Sequence, residues 1–269
     1  MITYPFTYTR PKSLAEAEAA LKSSSDAKLI AGGQTLIATM KQRLASPSLL
    51  IDIAKLSELR FVRREGDAIV IGAGARHDDV ATSEDLRKSL PALAELAETI
   101  GDPAVRHMGT LGGSLANNDP AADYPAAVLA LNATVMTTKR TIGADDFFQG
   151  MFTTALDEDE IIKQVAFPIV EKAAYAKFRN PASRYALAGV FVAKSKSGVR
   201  VAVTGAGSGV FRVPEMEAAL AKTFSPDAIA GVTVAADDLN SDIHASAEYR
   251  AHLVTVMAKR AVKAALERP

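Results

Sequence analysis

Two diglycine turns are the places where this chain is best equipped to hold a charged ligand. The first is Ala31-Gly32-Gly33-Gln34-Thr35-Leu36, between a short apolar run and a stretch of good helix formers. The second is Gly109-Thr110-Leu111-Gly112-Gly113-Ser114-Leu115-Ala116-Asn117, inside a segment rich in Asn and Asp. Lacking Cβ atoms, such turns let backbone N–H groups converge on an anion. Neither motif contains Lys or Arg. A pyrophosphate there would be held by amides, with hydroxyls and carboxylates left for ribose or ribityl groups. A pair of purely structural turns accounts for the same glycines, and on the residues alone both readings stand.

Other chemistries find less support. Gly205-Ala206-Gly207-Ser208-Gly209 has the wrong spacing for a dinucleotide fingerprint and does not open a helix, and Gly72-Ala73-Gly74 lacks the third glycine. Both read as turns. The four histidines, His77, His107, His244 and His252, form no H-x-x-x-H pair, so no metal site is expected. His77 is positioned either to cap a helix or to attach a flavin covalently. No nucleophile elbow is present, and Asp157-Glu158-Asp159-Glu160 reads as a solvated turn. With no acid–base constellation, enzymatic chemistry here would be carried by a cofactor.

The elements that must position these turns follow from periodicity. Ser13-Leu14-Ala15-Glu16 is a capping box opening a helix with Leu14, Ala17 and Leu21 on one face. Lys28-Leu29-Ile30-Ala31 predicts a short buried strand, 34–43 a helix, and Leu49-Leu50-Ile51-Asp52-Ile53 a second strand. Strands are predicted again at 68–72, 134–138 and 164–168, with one helix over 79–100 and an irregular polar segment over 101–125. Two apolar runs, 189–193 and 199–203, flank Lys196-Ser197-Gly198 as a hairpin, and a long helix closes the chain from 246 to 267.

Composition narrows the classes further. Thirty-one Lys and Arg balance 31 Asp and Glu, so the basic excess needed for nucleic-acid binding is missing. There is no cysteine, which removes disulfides, thiolate zinc sites and iron–sulfur clusters from this chain. The first residues do not read as a secretory signal and no apolar run is long enough to span a membrane, so the expectation is a soluble cytoplasmic protein. A length of 269 residues with 48% apolar content suits two domains. The boundary is placed near 170: residues 1–170, in two parts of about 1–55 and 56–170, and residues 171–269.

The two glycine motifs, Gly101-Asp102 with Arg106 ahead of the second one, Asp119-Pro120-Ala121-Ala122-Asp123, and Ser241-Asp242-Ile243-His244-Ala245-Ser246-Ala247-Glu248-Tyr249-Arg250 occur in a characteristic order. Together they resemble the FAD-binding medium subunit of the molybdenum hydroxylases, the family of carbon monoxide dehydrogenase, xanthine dehydrogenase and aldehyde oxidoreductases. The resemblance implies an α+β fold: a PCMH-type FAD-binding domain of two α+β subdomains, followed by a smaller α+β domain. It implies that Ile30, Ala31, Gly32, Gly33, Gln34, Thr35 and Leu36 and, from the second motif, Thr110, Leu111, Gly112, Gly113, Ser114 and Leu115 hold the FAD diphosphate. Gly101, Asn117, Asp123, Ile162, Lys177 and Tyr185 would complete the cofactor site, Tyr185 beside the isoalloxazine ring, and no metal is implied in this chain.

The same resemblance implies partners: a small subunit with [2Fe–2S] clusters and a large subunit with the molybdopterin cofactor, assembled as a dimer of heterotrimers. Electrons would pass from the clusters to FAD and on to quinone, oxygen or NAD. Without cysteine, this chain corresponds to the flavin part only. It departs from the family at two positions, with Ser114 where many members have Asn and Arg184 where many have Asp. Two other readings are a self-sufficient FAD-dependent oxidoreductase of the same fold with its own substrate site, and a non-enzymatic nucleotide-binding module.

Overall fold

Ser13 opens the first helix by accepting a hydrogen bond from the Glu16 backbone, while the Glu16 carboxylate reaches back one residue further than a standard box, to the Lys12 N–H. Helix α1 (Leu14–Lys22) buries Leu14, Ala17 and Leu21 over a small parallel sheet of β1 (Thr7–Thr9), β2 (Lys28–Ile30) and β3 (Leu49–Asp52), with β3 in the centre. A short α2 (Leu36–Lys41) follows the first glycine turn. The computed structural model describes residues 2–268 of the chain. Strand β2 is not the buried strand expected: it lies at the sheet edge, with Leu29 and Ile30 only half-buried beside a cavity.

The second sheet is wholly antiparallel. It contains β4 (Val62–Glu65), β5 (Ala68–Gly72), β6 (Thr134–Thr137) and β7 (Thr141–Gly143). A two-stranded ribbon, β8 (Phe148–Gly150) with β9 (Thr153–Thr154), leads into β10 (Ile162–Pro168), and the order is β4-β5-β10-β6-β7. Helices cover this sheet, but not as one rod over 79–100. Three short helices replace it: α3 (His77–Thr82), α4 (Glu84–Ser89) and α5 (Pro91–Glu98). Ser83 leaves the helical region (ψ 121°) and caps α4 through its side chain, and Pro91 starts α5 because its missing N–H is harmless at a first helical position. The apolar stripe survives both breaks, with Val80, Leu86, Leu93 and Leu96 all buried.

Residues 101–125 are also more regular than expected. They contain α6 (Pro103–Arg106), α7 (Leu111–Asn117) and the start of α8 (Tyr124–Ala130). Asp102 caps α6 through Val105 N, Thr110 caps α7 through Gly113 N, and α7 stops at Asn118 in the left-handed region (φ 43°). The Asn118 side chain then donates to the carbonyls of Gly150 and Thr153, tying the helix end to the β8–β9 ribbon. A short α9 (Ala144–Phe147) follows β7.

The third sheet, order β11-β12-β13-β14, comprises β11 (Lys172–Arg179), β12 (Ala186–Ser195), β13 (Gly198–Thr204) and β14 (Phe211–Arg212). Lys196 and Ser197 make the expected hairpin turn between β12 and β13, completed by Gly198 at φ 131°. One face of β12 and β13 packs under α10 (Pro214–Lys222) and α11 (Ala247–Glu267), joining Val190, Val192 and Val201 to Val254, Met257 and Ala261. The opposite face sends Phe191 and Ala202 into the core around α8. Burial on both faces explains why β12 reads as an unbroken apolar run.

Candidate functional site

A cavity of about 560 Å³ is lined by residues of all three sheets. That volume falls within the roughly 300–1,000 Å³ of small-molecule sites. Of the positions implied by the resemblance, Ile30 through Leu36, Gly101, Thr110, Gly112, Gly113, Ser114, Asn117, Asp123, Ile162, Lys177 and Tyr185 line it. Leu111 and Leu115 do not: both side chains are fully buried in the core beneath α7. They are the two apolar residues one helical turn apart, and the core takes them.

The first turn leaves its backbone donors open. Among the described residues, the backbone N–H groups of residues 32–36 find no acceptor in the protein; the first inward bond is Ile37 N–H to the Gly33 carbonyl. An unpaired run of amides needs water or a ligand as its acceptor. Gly33 holds the turn at φ 68°, a conformation that favours glycine. Gly32 is required for a different reason: a Cβ there would stand 2.1 Å from the Met108 carbonyl oxygen. The two glycine motifs therefore touch, backbone to backbone.

The second motif contributes differently from what its glycines imply. Its amides are committed inside the protein: Leu111 N–H donates to Ala75, Gly112 N–H to Ala73, Gly113 N–H to the Thr110 hydroxyl, and Ser114 N–H to the Thr110 carbonyl. Gly112 serves close packing instead, since its Cβ would lie 2.6 Å from that of Ala73. What α7 turns toward the cavity are the half-buried Ser114 and Asn117. The expectation of two equivalent amide loops is corrected to one amide loop facing a short helix with polar side chains.

The same cavity is also lined by a buried charge cluster. The Asp123 carboxylate accepts from Lys177 Nζ at 2.9 Å and from the Tyr175 hydroxyl, and the Asp123 and Lys177 side chains are 5% and 3% exposed. Burial pushes the Asp123 carboxyl up against the pull of the Lys177 ammonium, and burial also raises Tyr175 well above its ordinary range. Tyr175 escaped the sequence reading because it lies 52 residues from its partner. At the mouth, Tyr185 is half-exposed and follows Arg184, an exposed cation held at φ 64°.

Two further walls are polar but sealed. His77 is the first residue of α3 rather than its cap; its ring lines the cavity, and its Nε2 occupies the place of a Gly109 side chain, 2.5 Å from where a Cβ would be. Burial, helped by the nearby Arg106 charge, lowers its pKa to about 4, so the ring is neutral. Its Nδ1 is buried without a partner, as is the hydroxyl of Tyr124, whose ring centroid is 5.4 Å away. On the other side Glu160 is not the solvated turn residue expected. Its carboxylate is enclosed and paired with Arg140 and Thr137, whose hydrogen bonds outweigh burial and hold it down at about 2. This anchors Ile161 and Ile162 on the cavity wall.

The donor set fits FAD: free amides suit a diphosphate, Ser114 and Asn117 suit hydroxyls, and Ile30, Ile162 and Tyr185 offer apolar and aromatic walls for rings. Among the described residues no group of His, Asp or Glu could hold a metal ion. No helix among them is long and apolar enough to cross a membrane.

Residues 4–170 match the family model of the FAD-binding domain in molybdopterin dehydrogenase, and residues 163–265 match that of the CO dehydrogenase flavoprotein C-terminal domain. The carbon monoxide dehydrogenase medium chain of Hydrogenophaga pseudoflava is 41% identical over 217 residues, 76% of each chain. The glyceraldehyde dehydrogenase medium chain of Sulfolobus acidocaldarius is 38% identical over 198 residues, covering 71% of this chain and 70% of the relative. A solved carbon monoxide dehydrogenase from Hydrogenophaga pseudoflava superposes with a TM-score of 0.89 at 38% identity over 99% of both chains. The fold agrees with these relatives, and the chain belongs to the FAD-binding medium subunits of the molybdenum hydroxylases.

Proposed function

We propose that this chain holds FAD in the cavity and relays electrons from the [2Fe–2S] clusters of a partner subunit to an external acceptor, a quinone, oxygen or NAD. The observation that carries the reading is the unsatisfied run of amides at residues 32–36 on a cavity that is also lined by the Asp123–Lys177 pair and Tyr185. The bound flavin would supply the exchange between single-electron and two-electron carriers.

The protein's own residues bind, orient and exclude water. The amides of residues 32–36 would hold the diphosphate, and Ser114 and Asn117 would hydrogen-bond the cofactor's hydroxyls. Ile30, Ile162 and Tyr185 would give the ring system apolar and aromatic walls, with Gly101, Gly112 and Gly113 also lining the cavity. Lys177 is held on the cavity wall by its 2.9 Å hydrogen bond to the Asp123 carboxylate, where it would contact the bound cofactor. In this reading residues 1–170 form the FAD unit and 171–269 a C-terminal unit closing the mouth. The chain would work in the cytoplasm with a small iron–sulfur subunit and a large molybdopterin subunit, as a dimer of heterotrimers.

Reconstitution tests this directly. Purified chain incubated with FAD and desalted should retain a flavin absorption spectrum in about 1:1 ratio. The retained flavin should be reduced by the substrate of the assembled enzyme only when both partner subunits are present. A desalted chain free of flavin would overturn the reading, as would substrate turnover by the isolated chain.

A further inference from the structure

The segment 241–250, which marks the C-terminal region in the sequence, touches the cavity nowhere. Its hydrogen bonds nevertheless lead there. Asp242 makes a tight turn by accepting from the N–H groups of His244 and Ala245, and its other oxygen takes Arg250 Nη2 at 2.7 Å. From α11, the Arg250 guanidinium reaches inward: Nη1 donates to the carbonyls of Leu187 and Gly205, both at 2.9 Å. The Arg250 side chain is 4% exposed and its carboxylate partner 45% exposed. A charge is thus taken out of water to hold two backbone carbonyls, an arrangement whose desolvation is costly unless the geometry is required.

Neither Leu187 nor Gly205 lines the cavity, but each is tied to a segment that does. Leu187 lies two residues beyond Tyr185 at the start of β12. Gly205 N–H donates to the Pro120 carbonyl, and the Thr204 hydroxyl donates to the Ala122 carbonyl, so the pair grips the strap that ends in Asp123. Gly205 can do this only at φ 81°, with its Cα so close to β12 that a Cβ would stand 2.3 Å from the Ala186 carbonyl. Asn240 secures the other side of the same bend, donating to Ala206 and Gly207.

We propose that Arg250, oriented by Asp242, is a positioning residue for the cofactor site. It sets the separation between the Tyr185 wall and the Asp119–Asp123 strap, and through the strap the placement of the Asp123–Lys177 pair. The inference rests on the FAD reading of the cavity, but its structural half does not depend on it.

Two variants and two measurements test it. Arg250→Gln removes the charge and shortens the reach; Asp242→Asn, at a half-exposed site, only loosens the guanidinium. Hydrogen–deuterium exchange on the chain without FAD reads the structural half. The Gly205 amide should exchange at least about tenfold faster in both variants, with the amides of β5 unchanged, because charge-assisted bonds of this kind carry about a decade of local opening each. The second measurement is FAD titration followed by fluorescence, with iodide quenching of the bound flavin. Both variants should bind about tenfold more weakly and be quenched more readily, and Arg250→Lys should recover part of the loss.

Unchanged Gly205 exchange in Asp242→Asn would overturn the proposal even if Arg250→Gln fails to fold. Faster exchange with wild-type FAD affinity and quenching would overturn it too, reducing Arg250 to a fold-stabilising role. Failure of the unaltered chain to bind FAD would instead strike the function proposed above and leave the exchange result standing.

Discussion

The neutral His77 makes a sharp demand on how stability varies with pH. Its ordinary pKa of 6.5 falls to about 4 in the folded chain because burial disfavours the imidazolium and the Arg106 charge adds to the effect. Between those two values the unfolded chain takes up a proton that the folded chain refuses, so stability must fall as the pH drops through this window and level off below it. At pH 4.5 linkage gives a loss of about 2.5 kcal/mol relative to pH 7.5 from this one ring. The perturbation is His77→Gln, which cannot titrate. Urea unfolding of the cofactor-free wild type and variant at pH 7.5 and pH 4.5 gives four stabilities, and only the difference of differences is used. The substitution's own cost in packing against Gly109 and Tyr124 then cancels. Wild type should lose about 2.5 kcal/mol more than the variant between the two pH values. Parallel losses within about 0.5 kcal/mol would refute the reasoning, because they would mean that the buried imidazolium finds a stabilising partner in acid.

Three other outcomes follow from distances already given. Gly32→Ala drives a Cβ against the Met108 carbonyl, 2.1 Å away, and should weaken FAD binding at least about tenfold in a fluorescence titration while leaving the circular dichroism of the sheets intact. Lys177→Met leaves the Asp123 carboxylate buried without its cation and should destabilise the chain by about 3–5 kcal/mol, measured by urea unfolding at pH 7.5. Glu160 is held at about 2 against an ordinary 4.5, so its pairing with Arg140 contributes fully above pH 4.5 and is lost as the pH falls toward 2. Melting curves of wild type and Glu160→Gln should therefore converge between pH 5 and pH 2.5, and a constant gap would show that the pair does not titrate as described.

The parts of this fold legible in sequence are those settled over a few residues. Ser13 announces α1, Lys196-Ser197-Gly198 the β12–β13 hairpin, and an apolar stripe of Tyr249, Leu253, Val256 and Met257 the last helix, although only Leu253 and Met257 of the four are buried. Gly32-Gly33 read correctly as a turn between strand and helix. The helix over 79–100 was overextended because an apolar stripe carries through Ser83 and Pro91 while the backbone does not; cap chemistry overrode periodicity. Residues 101–125 looked irregular because each short helix there is held by a cap and by core contacts rather than by length.

At the site, the family resemblance pointed to residues that line the cavity, Leu111 and Leu115 excepted, but could not say how their polar atoms are used. That Gly112 N–H is taken by Ala73 while Gly32 N–H is free depends on which strand lies beneath each turn. The Tyr175 hydroxyl on Asp123 and the carbonyls held by Arg250 join positions 45 to 63 residues apart, beyond any local pattern.

The contact between Gly32 and Met108 has a consequence for how such a protein can change over time. Two layers of main chain meet there with no side chain between them to be trimmed or enlarged, so the joint cannot be retuned by ordinary substitution. Arg184 and Tyr185, which line the same cavity, are by contrast exposed, and their side chains can be exchanged without disturbing that joint.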